Sequence, residues 1–226
     1  MKVLNVHESA LPATHEEIGA LIDSLGSPGD TLWPRQSWPK MQFDQPLRIG
    51  ARGGHGPIRY FVEAYVPGQS IRFRFTGPKG FDGYHGYEIA KAFDSTVLRH
   101  TVQMTTRGLA VLSWPLLFSP LHDALIEDSL ATARASLGQP PNSRPWSPWV
   151  RFLRWVVSGG KARSQVTPHP PFHRTRSGGL VGARRKIGSR PCWRRLATSS
   201  SASSGGRSTV SAPSTPASAA AAAKAS

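Results

Sequence analysis

The distribution of acidic residues divides this chain into two parts of different composition. The last acidic residue is Asp128, and the 98 positions after it contain neither Asp nor Glu. Residues 1–138 balance 13 Lys and Arg against 13 Asp and Glu, whereas residues 139–226 carry 15 basic residues and no acid. The formal net charge of +15 therefore belongs to the C-terminal part, and a folded domain is expected in the first part.

The C-terminal part has the composition of a segment that does not fold. Ser, Ala, Gly and Pro make up 37 of the 66 residues from 161 to 226. Such a stretch buries too little apolar surface to offset the entropy that is lost on ordering. We therefore predict that it is a disordered basic tail.

Cysteine content and apolar runs bear on the compartment. The single cysteine, Cys192, lies in the tail, so no intrachain disulfide can form and a cytoplasmic protein is the default expectation. Polar residues interrupt the N-terminal residues 1–8, which therefore lack the apolar core of a signal peptide. No segment reaches the roughly 18 consecutive apolar residues that a membrane span requires, so we expect no transmembrane segment.

The first part begins with a short apolar run, residues 3–6, that is typical of a strand, and continues with a helix signal. Thr14 and Glu17 have the spacing of a capping box and predict the start of a helix. The connector at 32–39 contains two prolines and two tryptophans, and it allows at most a short second helix.

Alternation of polar and apolar residues then predicts a sheet. Residues 58–66 and 71–75 alternate on either side of a Pro-Gly turn and predict a hairpin. Further strands are expected at 84–91 and 96–106, with an earlier one near 47–52. The prediction is an antiparallel meander of about five or six strands.

A long helical pattern at 109–137, interrupted by Pro115 and Pro120, follows the sheet and completes an α+β architecture. Three runs carry a resemblance to a known superfamily: GGHGPIRY at 53–60, GFDGYHGYE at 80–88 and PLHDALIED at 120–128. With these runs the chain resembles the polyketide cyclase and START-like (SRPBCC) superfamily.

This resemblance implies a helix-grip fold over residues 1–157, in which an antiparallel sheet wraps around a long C-terminal helix, followed by the tail at 158–226. Because the superfamily includes carriers, receptors, cyclases and aromatases, the resemblance implies a cavity more strongly than an activity. Two functions follow from it and stay open: binding or carriage of a small hydrophobic or aromatic molecule, or cyclase, aromatase or hydratase chemistry by general acid–base catalysis.

Strand parity and a helical projection select candidate pocket residues. His100 shares parity with Leu98 and Val102, and His85 alternates in step with Tyr87. On the final helix, Asp123, Glu127 and Arg134 cluster on the side expected to face solvent. His122 and Asp128 flank the buried half of that helix. The six candidates are Tyr60, His85, Tyr87, His100, His122 and Asp128.

Each candidate also has a purely structural interpretation. His100 can be a neutral core imidazole, His122 can cap the kink near Pro120, Asp128 can be a solvated edge residue, and the tyrosines suit an ordinary core equally well. If a reaction occurs, we expect His100, His122, Tyr60 or Tyr87 to take part in acid–base steps. No residue is assigned as catalytic.

Other chemistries find little support in the sequence. The histidines at 55, 85 and 100 lack the short spacing of metal motifs, so we expect no metal and no cofactor. No serine lies in a nucleophile elbow. The loop at 53–56 lacks the Lys-Ser/Thr ending of a phosphate-binding loop.

The basic end allows several interpretations. Residues 146–157 form an amphipathic run that either docks on the domain through Trp149, Phe152 and Val156 or lies in a membrane interface. The Arg and Lys runs at 184–186 and 194–195 favour nonspecific contact with polyanions. The tail also has the composition of a GC-rich gene read in the wrong frame, in which case it has no selected function.

Overall fold

A computed structural model describes residues 1–91, 96–161 and 165–168 of the chain. These residues belong to one unit, Met1–Thr175. Cys192 and the basic runs of the tail lie outside the described residues. The predicted boundary between 157 and 158, and the predicted properties of the tail, therefore stay predictions.

The described residues form one sheet of seven strands: β1 Lys2–Leu11, β2 Gln42–Phe43, β3 Arg52–His55, β4 Ile58–Val66, β5 Ser70–Gly77, β6 Phe81–Lys91 and β7 Thr96–Thr106. The strands are antiparallel and lie in the order β1-β7-β6-β5-β4-β3-β2. Strand β1 pairs with β7 along its whole length, so the N-terminal strand joins the last one and forms an edge.

The sheet differs from the prediction at its β2 edge. The predicted strand at 47–52 lies instead at Arg52–His55, and the two-residue strand β2 was not expected. The cause is a loop closed by Asp44: its backbone N–H donates to Arg52 O (2.9 Å), and its Oδ1 accepts from Arg52 N (2.9 Å). The residues inside this loop form turns rather than a strand.

Helix α1, His15–Asp23, begins as predicted. Glu17 N donates to Thr14 Oγ1 (3.2 Å) and Thr14 N donates to Glu17 Oε2 (2.9 Å), which completes the capping box. The connector after it forms turns and no second helix, because Asp30 Oδ1 accepts from the backbone N–H groups of Leu32 and Trp33.

The C-terminal helical region is continuous but changes its winding. Helix α2, Ala110–Ser113, passes through a π-helical turn, Trp114–Phe118, into helix α3, Ser119–Ser136. Helix α3 crosses one face of the sheet, and its apolar residues share a core with the strands. The helix-grip architecture expected from the resemblance is thereby confirmed.

Helix α4, Pro148–Val157, packs against α3 through a face next to the one predicted. Val150 and Leu153 are buried, whereas Trp149, Phe152 and Val156 are about half exposed. The sequence pattern located the helix, but its strongest aromatic residues lie on the outer face. None of the described helices is long and apolar enough to cross a membrane.

Candidate functional site

A cavity of about 900 Å³ lies between the sheet and the α2–α3 helical region. Strands β3 to β7 supply one wall, and the π-turn and α3 supply the other. The connector and α4 contribute to its outer part. Side chains that define its inner wall include Phe75, Phe81, Val102, Trp114, Phe118 and Leu125.

The outer part of the cavity is positively charged. Arg35, Lys40 and Lys161 belong to its lining and are exposed to solvent, so they mark its mouth. None of the described residues that line the cavity is acidic. An anionic group at the mouth would therefore meet only favourable charges.

The inner wall is built from aromatic contacts. Phe75 stacks on the ring of His85, with centroids 4.9 Å apart. Phe81 meets Trp114 and Phe118 edge to face, at 5.8 and 5.1 Å. These offset-stacked and edge-to-face geometries are the favourable ones for aromatic pairs, so the rings stabilise one another around the open space.

Five histidines form a continuous series beside this wall. The ring centroids are separated by 6.4 Å from His55 to His85, 5.7 Å to His100, 5.1 Å to His122 and 5.8 Å to His7. His55, His85 and His122 line the cavity. Strand register produces the series, because His100 on β7 lies directly opposite His7 on β1.

Burial makes most of these imidazoles weak bases. Desolvation lowers the pKa of His85 and His100 well below the usual value, and it lowers the pKa of His122 despite the hydrogen bond to Asp123. Burial also lowers the pKa of His55, to about 3. These four rings are therefore neutral at neutral pH.

Three of the neutral rings have a buried nitrogen without a hydrogen-bond partner among the described residues. These atoms are His85 Nε2, His100 Nδ1 and His122 Nε2. An unpaired buried polar atom costs about 1–3 kcal/mol. Two of the three belong to rings that line the cavity, His85 and His122, although the nitrogens themselves are covered.

The tyrosines predicted for the pocket support its floor. Tyr60 and Tyr87 are fully buried and are not part of the cavity lining. The Tyr60 hydroxyl lies 3.1 Å from His55 Nδ1, and desolvation raises its pKa. The Tyr87 hydroxyl lies 2.8 Å from Ser129 Oγ, which itself donates to Leu32 O (3.0 Å).

Asp128 is placed away from the cavity lining, under two tryptophans. Trp38 Nε1 and Trp146 Nε1 donate to its Oδ2 at 2.8 and 2.9 Å, and Gln165 Nε2 donates to Oδ1 at 2.8 Å. Its side chain is buried. The guanidinium of Arg154 lies 4.1 Å from the centre of both indole rings. Asp128 thus links α3 to the connector and to the segment before α4.

The structure brings His85, His100 and His122 together as neighbours, with Tyr60 and Tyr87 in contact with them. Sequence reasoning left His7 out. Its parity with Val3 and Leu11 on β1 was the signal that it faces the helix rather than solvent. Asp123 and Glu127, expected to face solvent, are partly exposed and pair with His7.

The buried histidines predict that the domain loses stability in acid. In the unfolded chain, histidine has a pKa of about 6.5, so below that pH the unfolded state binds more protons than the folded state. Stability should therefore fall as pH drops below about 6.5 and continue to fall towards the lowered pKa values of the folded state.

The variant His85→Phe tests this explanation, because the new phenyl ring can pack against Phe73 and Phe75 but cannot take up a proton. It should move the midpoint of acid unfolding to lower pH. Circular dichroism across a pH series measures this, and an unchanged midpoint would contradict the assignment.

Comparisons with known proteins concern the fold. No protein-family model and no curated protein sequence matches the chain. Among solved structures, a Thermobifida fusca protein is 12% identical over 62% of this chain and 99% of its own, with a TM-score of 0.48. CalU16 from Micromonospora echinospora is 12% identical; the match covers 70% of this chain and 92% of CalU16, with a TM-score of 0.44. The di-domain ARO/CYC protein StfQ from the steffimycin biosynthetic pathway is also 12% identical; the match covers 59% of this chain and 50% of StfQ, with a TM-score of 0.43.

Likenesses at this level of identity transfer no activity and no residue role to the chain. The architecture itself is visible in the chain's own elements: an N-terminal strand and helix, an antiparallel sheet, and a long final helix across it. The cavity lies where sheet and helix diverge. The chain has a helix-grip fold, in which an antiparallel sheet packs against a long C-terminal helix.

Proposed function

We propose that the chain binds a small, mainly apolar or aromatic molecule in the cavity between the sheet and α3. The observation that carries this proposal is the open volume of about 900 Å³ inside an aromatic wall. Protein interiors are close-packed, and voids of this size are not packing defects. The volume falls within the range of pockets that hold small molecules.

Polar groups in and around the cavity support a more specific ligand. The neutral rings of His85 and His122 line the cavity, and each has a covered nitrogen without a described partner, with which a hydroxyl or carbonyl group of the ligand would pair after a small rotation of the ring. Arg35, Lys40 and Lys161 at the mouth suit a carboxylate. A planar aromatic acid with a hydroxyl or carbonyl substituent would use all three features.

Ligand binding can be blocked by filling the cavity from α3. Leu121 lines the cavity, and Leu121→Trp should occupy the space that the ligand needs. In the wild-type chain, a hydroxynaphthoic acid at about 100 times its dissociation constant should stabilise the fold by about 2.7 kcal/mol. Thermal-shift and fluorescence titrations with this probe measure the effect, which Leu121→Trp should remove.

Leu112→Trp provides the matched control. Leu112 is 64% exposed on α2 and is not part of the cavity lining, so the same substitution there should leave binding unchanged. Neutral naphthol should bind more weakly than the acid, because it lacks the charge that the mouth attracts. Equal binding by both tryptophan variants, or no stabilisation by any planar aromatic probe, would contradict the proposal.

General acid–base catalysis is the second candidate, and the unpaired nitrogens on the two cavity-lining histidines favour it. His122 and His85 are better placed for it than His100, which does not line the cavity. A general base is most effective when its pKa is near the working pH. Burial lowers the pKa of both His85 and His122, which weakens them as bases at neutral pH. The test is deuterium exchange at the acidic carbon of an aromatic 1,3-diketone. Exchange that the wild-type chain catalyses and that His122→Gln and His85→Gln do not would establish catalysis.

A further inference from the structure

A second cluster of functional groups lies where β1 meets the first turns of α3. His7 and Asp123 are 116 positions apart in the sequence, yet His7 Nε2 lies 3.2 Å from Asp123 Oδ1. His122 Nδ1 lies 3.4 Å from the same oxygen. One ligand atom from each of the three residues lies within 4.8 Å of the other two.

These separations suit a metal ion. Ligands at the zinc bond lengths of about 2.0–2.1 Å in a tetrahedron lie about 3.4 Å from one another. Two of the observed separations match that value. Two imidazole nitrogens and one carboxylate oxygen are donors for zinc, cobalt or nickel, whereas magnesium and calcium prefer oxygen ligands alone. We propose that His7, His122 and Asp123 form a binding site for a divalent transition-metal ion of the zinc type.

Neighbouring groups orient the three ligands. Glu127 Oε1 lies 2.9 Å from His7 Nδ1, so it accepts the proton there and leaves the lone pair of Nε2 directed at Asp123. Asn5 Nδ2 donates to Asp123 Oδ1 at 2.9 Å and holds that carboxylate in place. A carboxylate behind a ligating histidine is the usual support of a zinc site.

Solvent can reach the site. The side chains of His7 and His122 are 14% and 15% exposed, whereas those of Asp123 and Glu127 are 44% and 39% exposed. An ion can therefore enter from the carboxylate side, and water can complete its coordination there. Binding at His122 Nδ1 would leave the proton on Nε2, so the ion would also set the tautomer of a cavity-lining ring.

The same residues can also form an ion-free cluster, with a protonated His7 between Asp123 and Glu127. The sequence predicted no metal because it contains no short histidine motif, and the three proposed ligands come from two distant elements. A metal site takes up a transition-metal ion with a defined stoichiometry, whereas an ion-free cluster of charged side chains does not. Metal titration therefore separates the two states.

The test uses the full chain with His169→Ala, His173→Ala and Cys192→Ser, because these tail residues offer competing ligands. After treatment with a chelator, the protein is titrated with Co²⁺ and followed by visible absorption, and Zn²⁺ is then added. We expect saturation at one equivalent, with the absorption of low-coordinate cobalt. Zn²⁺ should bleach this absorption and raise the melting temperature.

Variants identify the ligands. His7→Gln and Asp123→Asn should abolish the cobalt spectrum, and Glu127→Gln should weaken binding by about 10- to 100-fold. His15→Gln, on α1, should leave binding unchanged. Circular dichroism without metal confirms that each variant folds. If His7→Gln does not fold, the test rests on Asp123→Asn, which retains the shape of the side chain. Absence of a saturable spectrum, or undiminished binding by a folded Asp123→Asn variant, would overturn the proposal.

Discussion

Asp128→Ala is expected to lower the free energy of unfolding by about 3–5 kcal/mol. The carboxylate is 4% exposed and accepts hydrogen bonds from Trp38, Trp146 and Gln165. Alanine would leave two indole N–H groups without an acceptor, whereas Gln165 Nε2 would keep its hydrogen bond to Arg144 O, and each unsatisfied buried donor costs about 1–3 kcal/mol. Urea unfolding followed by tryptophan fluorescence measures the loss, because both indoles report on the site directly.

Asp82→Ala is the matched control. Asp82 is 58% exposed and pairs with the exposed Arg107, so its removal should change stability by less than about 0.5 kcal/mol. Asp128→Asn should fall between the two, because the amide oxygen still accepts hydrogen bonds. A loss below about 1 kcal/mol for Asp128→Ala would show that water replaces the carboxylate, and the proposed structural role would be wrong.

Phe73→Ala is expected to cost a similar amount, about 3–5 kcal/mol, because it opens a cavity beneath the aromatic wall. Phe73 is fully buried on β5. Its ring lies 5.0 Å from Tyr60, 5.1 Å from His85 and 5.8 Å from Phe43, measured between centroids. Its removal should loosen the ring of His85 and reduce ligand binding as well as stability.

Phe152→Ala separates this effect from the loss of a phenyl ring as such. Phe152 is 50% exposed on α4 and contacts Trp149 and Trp155 on the outer face of that helix. Its truncation should cost less than about 1 kcal/mol. Chemical denaturation of both variants gives the comparison, and equal losses would mean that Phe73 is not part of a close-packed layer.

Several parts of the fold could be predicted because their causes are local. The capping box of Thr14 and Glu17 starts α1 where the sequence indicated, since both hydrogen bonds span three residues. Alternation along residues 58–66 and 71–75 predicted the hairpin, because successive side chains of a strand face opposite sides. The same parity indicated that His85 and His100 face inward.

The errors arose where a distant or side-chain contact controls the backbone. Asp44 closes a loop around residues that resemble a strand, and this moved β3 to Arg52–His55. The face of α4 that docks was also predicted wrongly, because the partner surface that selects Val150 and Leu153 over Trp149 is not visible in the helix's own pattern.

The candidate site shows the same division. The sequence alone indicated that His85 and His100 face the inside of the sheet. It also predicted the order of elements that makes a helix-grip fold and separated a balanced first part from an acid-free second part. The tertiary structure decided that the space under α3 stays open as a cavity of about 900 Å³. It also decided that Asp128 is bound by two indoles and that His7 meets His122 and Asp123. Periodicity assigns a side chain to a face, but the distance between two faces depends on how the whole chain packs, so a pocket and a cluster of distant residues exist only in the folded molecule.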